Sequence, residues 1–381
     1  MVINSTPKKD GYRMPAEYEP HEATIMIWPT RPGSWGKDAS KAKEAFKQIF
    51  TEIVKSEKLI LLADREHIDE ARDCVKALEN VEIYDIESND SWARDVAPTF
   101  VKDDFGSVRA INWEFNAWGG DFDGLYKDYR LDNEIPFKLC EKMKVDVYDA
   151  APFVLEGGSI HTDGEGTAIV TKACLLSKGR NPELSMEEIE AYLKNYMGVE
   201  KVLWLPNGIY MDETNEHVDN VCAFVGKGQV VLATTENKDD PQYKLSMEDL
   251  EYLEGQTDAM GRKLTVFKLP IPDHPVLVNE ADLDNFEFEE GEDTREAGER
   301  LAASYVNFYF TNDEVLIPAF GGENKESDDR AAEILQFICK TRKVVQIPAR
   351  QILLGGGNIH CITQQVPVKK PGTIKNMMRF V

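Results

Sequence analysis

With 381 residues, 42% of them hydrophobic and 29% charged, the chain has the composition of a packed globular protein. A net charge of −24 argues against nucleic acid or anionic membrane surfaces as partners, and no run of about 18 apolar residues offers a membrane span. Six cysteines stand singly at 74, 140, 174, 222, 339 and 361, without metal-type spacing; with an N-terminus lacking a secretory apolar core, they predict a reduced, cytoplasmic protein.

The apolar run 25–28 predicts a buried strand stopped by Pro29. Ala42, Ala45, Phe46, Ile49, Phe50, Ile53 and Val54 recur at helical spacing. A strand follows at 59–62, then a helix marked by Ile68, Ala71, Cys74, Val75 and Leu78, then a strand at 81–86. From there a ββαβ unit repeats. Strands 98–101 and 108–113 flank a turn with Gly106, and a helix over 136–143 leads to the strand 145–148. The second copy has strands 154–161 and 167–171, a helix opened by the capping box Ser185/Glu188 and ended by Gly198, and the strand 202–205. The third has strands 218–225 and 229–233, a helix opening near Ser246, and the strand 264–269. An insertion, 270–296, comes next; eight of the fourteen residues from 280 to 293 are acidic, which predicts a solvated surface loop. The fourth copy has strands 303–310 and 315–318, a helix with Ala332, Leu335, Phe337 and Ile338, and the strand 344–347. The fifth starts at Ile352 and takes its missing helix and strand from 28–62. Units this small cannot each bury a core. The expectation is one domain, 1–381, with an α/β fold: a five-bladed propeller of ββαβ repeats with pseudo-fivefold symmetry, its ring closed by both ends of the chain.

Chemistry-bearing residues fall at matched places in these repeats. Asp95, Glu156 and His217 follow one another at intervals of 61 positions, Asp219 lies two beyond His217, and Cys361 opens the fifth unit behind Gly355-Gly356-Gly357. In a ring, equal phase means one central mouth. A cysteine displayed beyond a glycine-rich loop is a candidate nucleophile, and His217 is the candidate acid/base. Read as strand residues, His217 and Asp219 share a face. Carboxylates around a thiol raise its pKa, which suits a substrate that brings its own positive charge, and a guanidinium pairs with carboxylates in a planar, bidentate way. His161 and His360 follow the strand alternation and read as structural.

The motifs at 10–15, 92–100, 113–120, 153–161, 212–220, 302–309 and 355–363 resemble, in combination, those of the agmatine deiminases of the guanidine-modifying superfamily. The resemblance covers nearly the whole chain; one departure is Ala97, where members often carry Gly before the proline. It implies a five-bladed α/β propeller that hydrolyses agmatine to N-carbamoylputrescine and ammonia, with no metal or other cofactor. By position, Cys361 is similar to the nucleophile and His217 to the acid/base. Asp95 and Asp219 would bind the guanidinium, and Glu156 would hold substrate and His217. Trp92 and Trp118 are candidates to wall the substrate slot or stack on a cation, and Gly356 to contact substrate. The partner of the substrate's ammonium is left between 10–14 and the acidic insertion. A homo-oligomer, dimer or tetramer, is expected. The sequence leaves open arginine or another guanidine as substrate, an amidino- or carbamoyl-transferase, and a polyamine-binding protein without catalysis.

Overall fold

A computed structural model describes residues 1–369, and its strands form five sheets, one for each sequence repeat. In every unit the first strand runs antiparallel to the second, a helix crosses over, and the third strand returns parallel to the second. The first unit pairs Thr99–Lys102 with Val108–Glu114, then Arg130–Met143 leads to Val147–Val154, against which Val2–Ile3 adds a parallel strand. The second uses His161–Thr162, Thr167–Thr171, the helix Met186–Met197 and Lys201–Leu205. The third uses Cys222–Gly226, Gln229–Thr234, the helix Pro241–Glu254 and Thr265–Pro270. The fourth uses Tyr309–Phe310, Glu314–Ala319, the helix Lys325–Ile338 and Lys343–Pro348. The fifth joins both ends of the described chain. Gln364–Pro367 pairs antiparallel with His21–Ile27, the helix Ser40–Ile53 leads to Lys58–Ala63, and Ile68–Val75 leads to a further parallel strand, Val81–Asp85.

In the second to fifth units the second strand is buried along almost its whole length, as strands covered on both faces must be. The helix Ser40–Ile53 buries Ala42, Ala45, Phe46, Ile49, Phe50 and Ile53, one stripe at i, i+3, i+4 and i+7. Each fully buried Phe or Ile there contributes roughly 1.5–3 kcal/mol of transfer free energy. Ser185 and Glu188 do form the capping box, and Gly198 takes the left-handed conformation that ends that helix. Among the described residues no helix is long and apolar enough to cross a membrane.

Several boundaries differ from the sequence reading. The helix expected at 136–143 begins at Arg130 and runs through Pro136, because the Leu131 and Asp132 amides are capped by Asn89 Oδ1, some forty residues upstream. The third unit's helix starts at Pro241, capped by Asp240, not near Ser246; Ser246 is buried inside it and donates to the Ala233 carbonyl at 2.8 Å. Phe337, one of the apolar residues that mark the fourth unit's helix, is 69% exposed. The stretches 154–161, 218–225 and 303–310 are not continuous strands. Gly157–Ser159 is a 3-10 turn, Val218–Val221 is a helical turn, and only Tyr309–Phe310 of the third stretch pairs. His217 therefore sits at the start of a turn with Asp219 inside it, so the two are not on one strand face. The insertion is only partly solvated: Val276 and Val278 pack with Leu301, Leu353 and Leu354, and Glu292 is buried against Arg31.

Polar bonds join the fourth unit to the fifth. The Glu57 carboxylate accepts from Thr24 Oγ1 and from the Asn312 amide at 2.8 Å, and lies 3.2 Å from His21 Nδ1. Asn312 Oδ1 in turn accepts from the His21 amide at 2.9 Å. Glu57→Ala takes the acceptor from the Asn312 amide and leaves Thr24 and His21 with the Tyr309 hydroxyl, so it should lower the urea-derived unfolding free energy by about 3 kcal/mol. A loss below about 1 kcal/mol would mean that apolar packing alone holds this junction.

Candidate active site

Every unit leads into its first strand through a short turn, and each turn carries a polar residue. Asp95 lies on the helical turn Ala93–Val96, Glu156 immediately precedes Gly157–Ser159, and His217 and Asp219 belong to the turn around Val218–Val221. Asn307 precedes Tyr309–Phe310, and Cys361 precedes Gln364–Pro367. Apolar members of these turns, among them Ala93, Val96, Val218, Val221, Ile359 and Ile362, are buried and anchor them on the core. The polar members are thereby held against one another.

Cys361 Sγ accepts from Asn307 Nδ2 at 3.2 Å and lies 3.6 Å from Asp219 Oδ2. A Cβ on Gly357 would fall 2.6 Å from the Trp92 ring and 3.0 Å from Cys361 Cβ, so the glycine lets the indole pack beneath the thiol. Trp92 Nε1 is fixed by Asp90 Oδ2 at 3.0 Å. Asp95 accepts from the Gly158 amide and from Trp118 Nε1, both at 2.8 Å. His217 stands between Asp95 Oδ2 at 3.9 Å and Glu156 Oε2 at 3.7 Å, with the Cys174 thiol beside it. Gly158 is the hub: a Cβ there would lie 2.6 Å from His217 Nδ1, 2.9 Å from Asp219 Oδ2 and 3.0 Å from Asp95 Oδ1.

The electrostatics follow from burial and from the charges packed together. Burial foremost, then Asp219 and Asp95, push the Cys361 thiol well above its ordinary value, so it rests protonated. Burial also raises Asp95 to about 6, with His217 opposing and Asp219 and Glu156 adding to the rise. Burial alone would lower His217; Asp95, the Cys174 thiol and Glu156 outweigh it and hold the ring well above the usual histidine value, as an imidazolium. Burial opposes ionisation of Glu156 and Asp219, yet both stay low: Glu156 through Arg180 and His217, Asp219 through His360 and His217.

Arg180 lies in a loop without periodicity or motif, and nothing in the sequence singles it out. Its Nε is 2.7 Å from Glu156 Oε1. Its other nitrogens donate to the Trp118 carbonyl, to Asn215 Oδ1 at 2.8 Å and to the Thr214 carbonyl at 2.9 Å. Ala117, Trp118, Asn215 and Glu216 all have left-handed backbones, a strained state for residues with a Cβ, so one guanidinium pins both strained loops. Asn307 lies inside the motif 302–309 but was not read as a site residue. His360, read as structural, bonds directly to Asp219 at 2.9 Å. His161 keeps a structural place: its Nδ1 accepts from the Phe224 amide at 3.3 Å, and burial pushes it down to about 4.

Cys361, His217, Asp95, Trp92, Trp118 and Gly356 line one pocket, about 710 Å3 of space open to solvent. Glu156 and Asp219 lie beneath its floor, touching His217 and Cys361. Phe288 and the stretch 292–295 of the insertion form part of its wall, correcting the expectation of a purely surface loop. The segment 10–14 does not line it. Asp10 pairs with Arg109 at 2.8 Å, and Tyr12 and Met14 pack in the core of the first and second units. Among the described residues, two buried groups bring metal-ligand atoms together, Glu156–Cys174–His217 and Glu17–His161–His360, but Arg180 and Arg94 already offset their carboxylates.

Residues 13–367 match the family model of Porphyromonas-type peptidyl-arginine deiminases. The chain belongs to that family. It is 55% identical over 369 residues to a Selenomonas ruminantium protein provisionally named agmatine deiminase, covering 96% of this chain and 99% of that one. Among solved structures it resembles an agmatine deiminase of Enterococcus faecalis, described as catalysing its reaction, at 42% identity and a TM-score of 0.92, covering 97% and 99% of the two chains. It also resembles an agmatine deiminase of C. jejuni with substrate bound, at 27% identity and a TM-score of 0.78, covering 93% and 96%. The resemblance to agmatine deiminases drawn from the motifs is thus borne out, and this deiminase-family fold is mixed α/β with parallel and antiparallel strand pairs.

Gly158→Ala should fold but lose at least about a hundredfold in turnover, because its methyl group must displace His217, Asp95 or Asp219 by roughly an ångström. Near-normal turnover with an unchanged melting temperature would show that these three residues tolerate the shift.

Proposed function

We propose that the chain hydrolyses agmatine to N-carbamoylputrescine and ammonia through a covalent intermediate on Cys361. One observation above all supports this. A protonated thiol sits beside two buried carboxylates, Asp219 and Asp95, at the floor of an acidic pocket, an arrangement that favours a cationic reactant and disfavours an anionic one. The agmatine deiminases it resembles supply the substrate class.

The guanidinium pairs with Asp95 and Asp219, and its charge expels the thiol proton to solvent. The Cys361 thiolate then attacks the central carbon. His217 gives its proton to a departing nitrogen, which leaves as ammonia, and an amidino-thioether remains. Neutral His217 takes a proton from water as the oxygen adds to the same carbon. The carbon–sulfur bond breaks, the new hydroxyl's proton passes to sulfur, and the ureido product forms. His217 is again an imidazolium, and the proton first expelled balances the ammonia as ammonium. Glu156 favours the imidazolium of the resting site and holds the ring in place through both steps. Trp92 and Trp118 wall the aliphatic chain, Gly356 lets it pass close to the backbone, and Glu213, Glu292 and Asp293 surround the terminal ammonium.

The same reading includes a single catalytic domain, a closed five-bladed propeller. Direct bonds between successive units support the ring. The Arg94 amide donates to the Cys361 carbonyl at 3.0 Å, Gly158 to Asp95 at 2.8 Å, and Phe224 to His161 at 3.3 Å. Asn307 Nδ2 donates to Asn220 Oδ1 at 2.9 Å, and Glu57 bonds Asn312.

Cys361→Ser should fall below about 1% of wild-type turnover while still binding agmatine by calorimetry, since a serine hydroxyl is not ionised here. Retention of more than a few per cent would exclude a covalent thiol, and a wild type that binds but never turns over would favour a polyamine-binding protein.

Arg31 and Arg295, the cations on the pocket wall, are already paired with Glu292 and Glu213. Arginine's α-carboxylate would meet these occupied cations and the surrounding acids. We expect agmatine to exceed arginine by at least about a hundredfold in kcat/KM in a ureido colour assay run side by side. Comparable efficiency would leave only the guanidine-hydrolase class standing.

A further inference from the structure

Behind Cys361 a second polar cluster extends away from the pocket. His360 Nδ1 lies 2.9 Å from Asp219 Oδ2, and its Nε2 lies 2.7 Å from Glu17 Oε2. Ionised carboxylates only accept, so both ring nitrogens must carry hydrogen and the ring is an imidazolium. All three side chains are buried. Arg94 Nη2 is 3.6 Å from Glu17 Oε2, its Nε donates to the His360 carbonyl at 3.4 Å, and its guanidinium lies over the Tyr309 ring. His161 Nε2 is 3.9 Å from Glu17, but that ring is neutral because its Nδ1 accepts from Phe224. The Cys361 thiol is 3.6 Å from the same Asp219 oxygen that His360 holds, while Asp219 Oδ1 is buried without a partner. Glu17 does not line the substrate pocket, and the bonds that lead from it to the guanidine site run through His360 to Asp219.

We propose that Glu17 and His360 are positioning residues for the guanidine site: Glu17 holds His360 as an imidazolium, and His360 fixes one oxygen of Asp219 so that the other is presented, charged, to the substrate. The proposal rests on Asp219 pairing with a guanidinium as set out above. Burial and Arg94 would lower His360, and Glu17 and Asp219 outweigh them. His360, against burial, holds Asp219 low. Removing Glu17 therefore lets His360 lose its proton as pH rises. Removing His360 lets Asp219 take up a proton at a higher pH than before.

The test is the pH profile of kcat/KM for ammonia release from agmatine, measured on the full chain. In Glu17→Gln the alkaline limb should move to lower pH, with about a tenfold loss above it, whereas Glu17→Asp keeps the parental profile. In His360→Gln the acid limb should move to higher pH with a loss of about ten- to a hundredfold, and Glu17→Gln should add nothing further in that background. Profiles parallel to wild type in the two glutamine variants, or losses that simply add, overturn the proposal. If one variant fails to fold by circular dichroism, the other decides, since each moves its own limb. A wild type inactive on agmatine removes the functional reading instead, and the profiles are then taken on the guanidine it does turn over.

Discussion

Asp95, Glu156 and Asp219 are buried around His217 and Cys361, and the surrounding structure must keep that much negative charge stable away from water. Taking an ion out of water costs several kcal/mol unless it is paired and hydrogen-bonded. His217 serves Asp95 and Glu156, Arg180 serves Glu156, and His360 serves Asp219. Burial, with Asp219 and Asp95 beside it, holds the proton on Cys361. A guanidinium entering the pocket supplies the missing charge at the place where the thiol needs it.

The repeated unit answers the geometric half of that problem. Each turn is held by buried apolar residues in or beside it and displays its own polar side chain. Residues far apart in the chain thus meet without long or flexible arms. Arg180 adds the rigidity that turns alone would lack, since it bonds two loops whose backbones are strained.

Much of this was legible in the sequence. The repeat, the second unit's helix ends and the sharing of the fifth sheet between the two ends follow from apolar periodicity and capping residues. The equal spacing of Asp95, Glu156 and His217 does place them together. Periodicity failed where the chain is apolar but turns, as at 154–161 and 218–225, because a buried turn and a buried strand expose similar residues to the count. Caps supplied from afar, such as Asn89 on Leu131, leave no local mark. Arg180 and Glu17 were hidden for a related reason: each acts on a residue distant in sequence and sits in no pattern of its own. His360 was set aside because strand alternation gave it a bland role, while its neighbour Cys361 drew the chemical reading.

The pairing of Ile25 with Gln364 has a consequence for the chain during its synthesis. The edge of His21–Ile27 that Gln364–Pro367 covers stays open until those residues emerge, about 340 residues later, and such a long-range contact is slow to form. Cys361 emerges in the same late stretch, before its neighbours have enclosed it. In that nascent state its thiol is not yet buried and is open to oxidants, whereas the finished fold buries it and holds its proton on. Folding here quiets the cysteine, and the period of greatest chemical risk is the interval between translation and the completion of the last sheet.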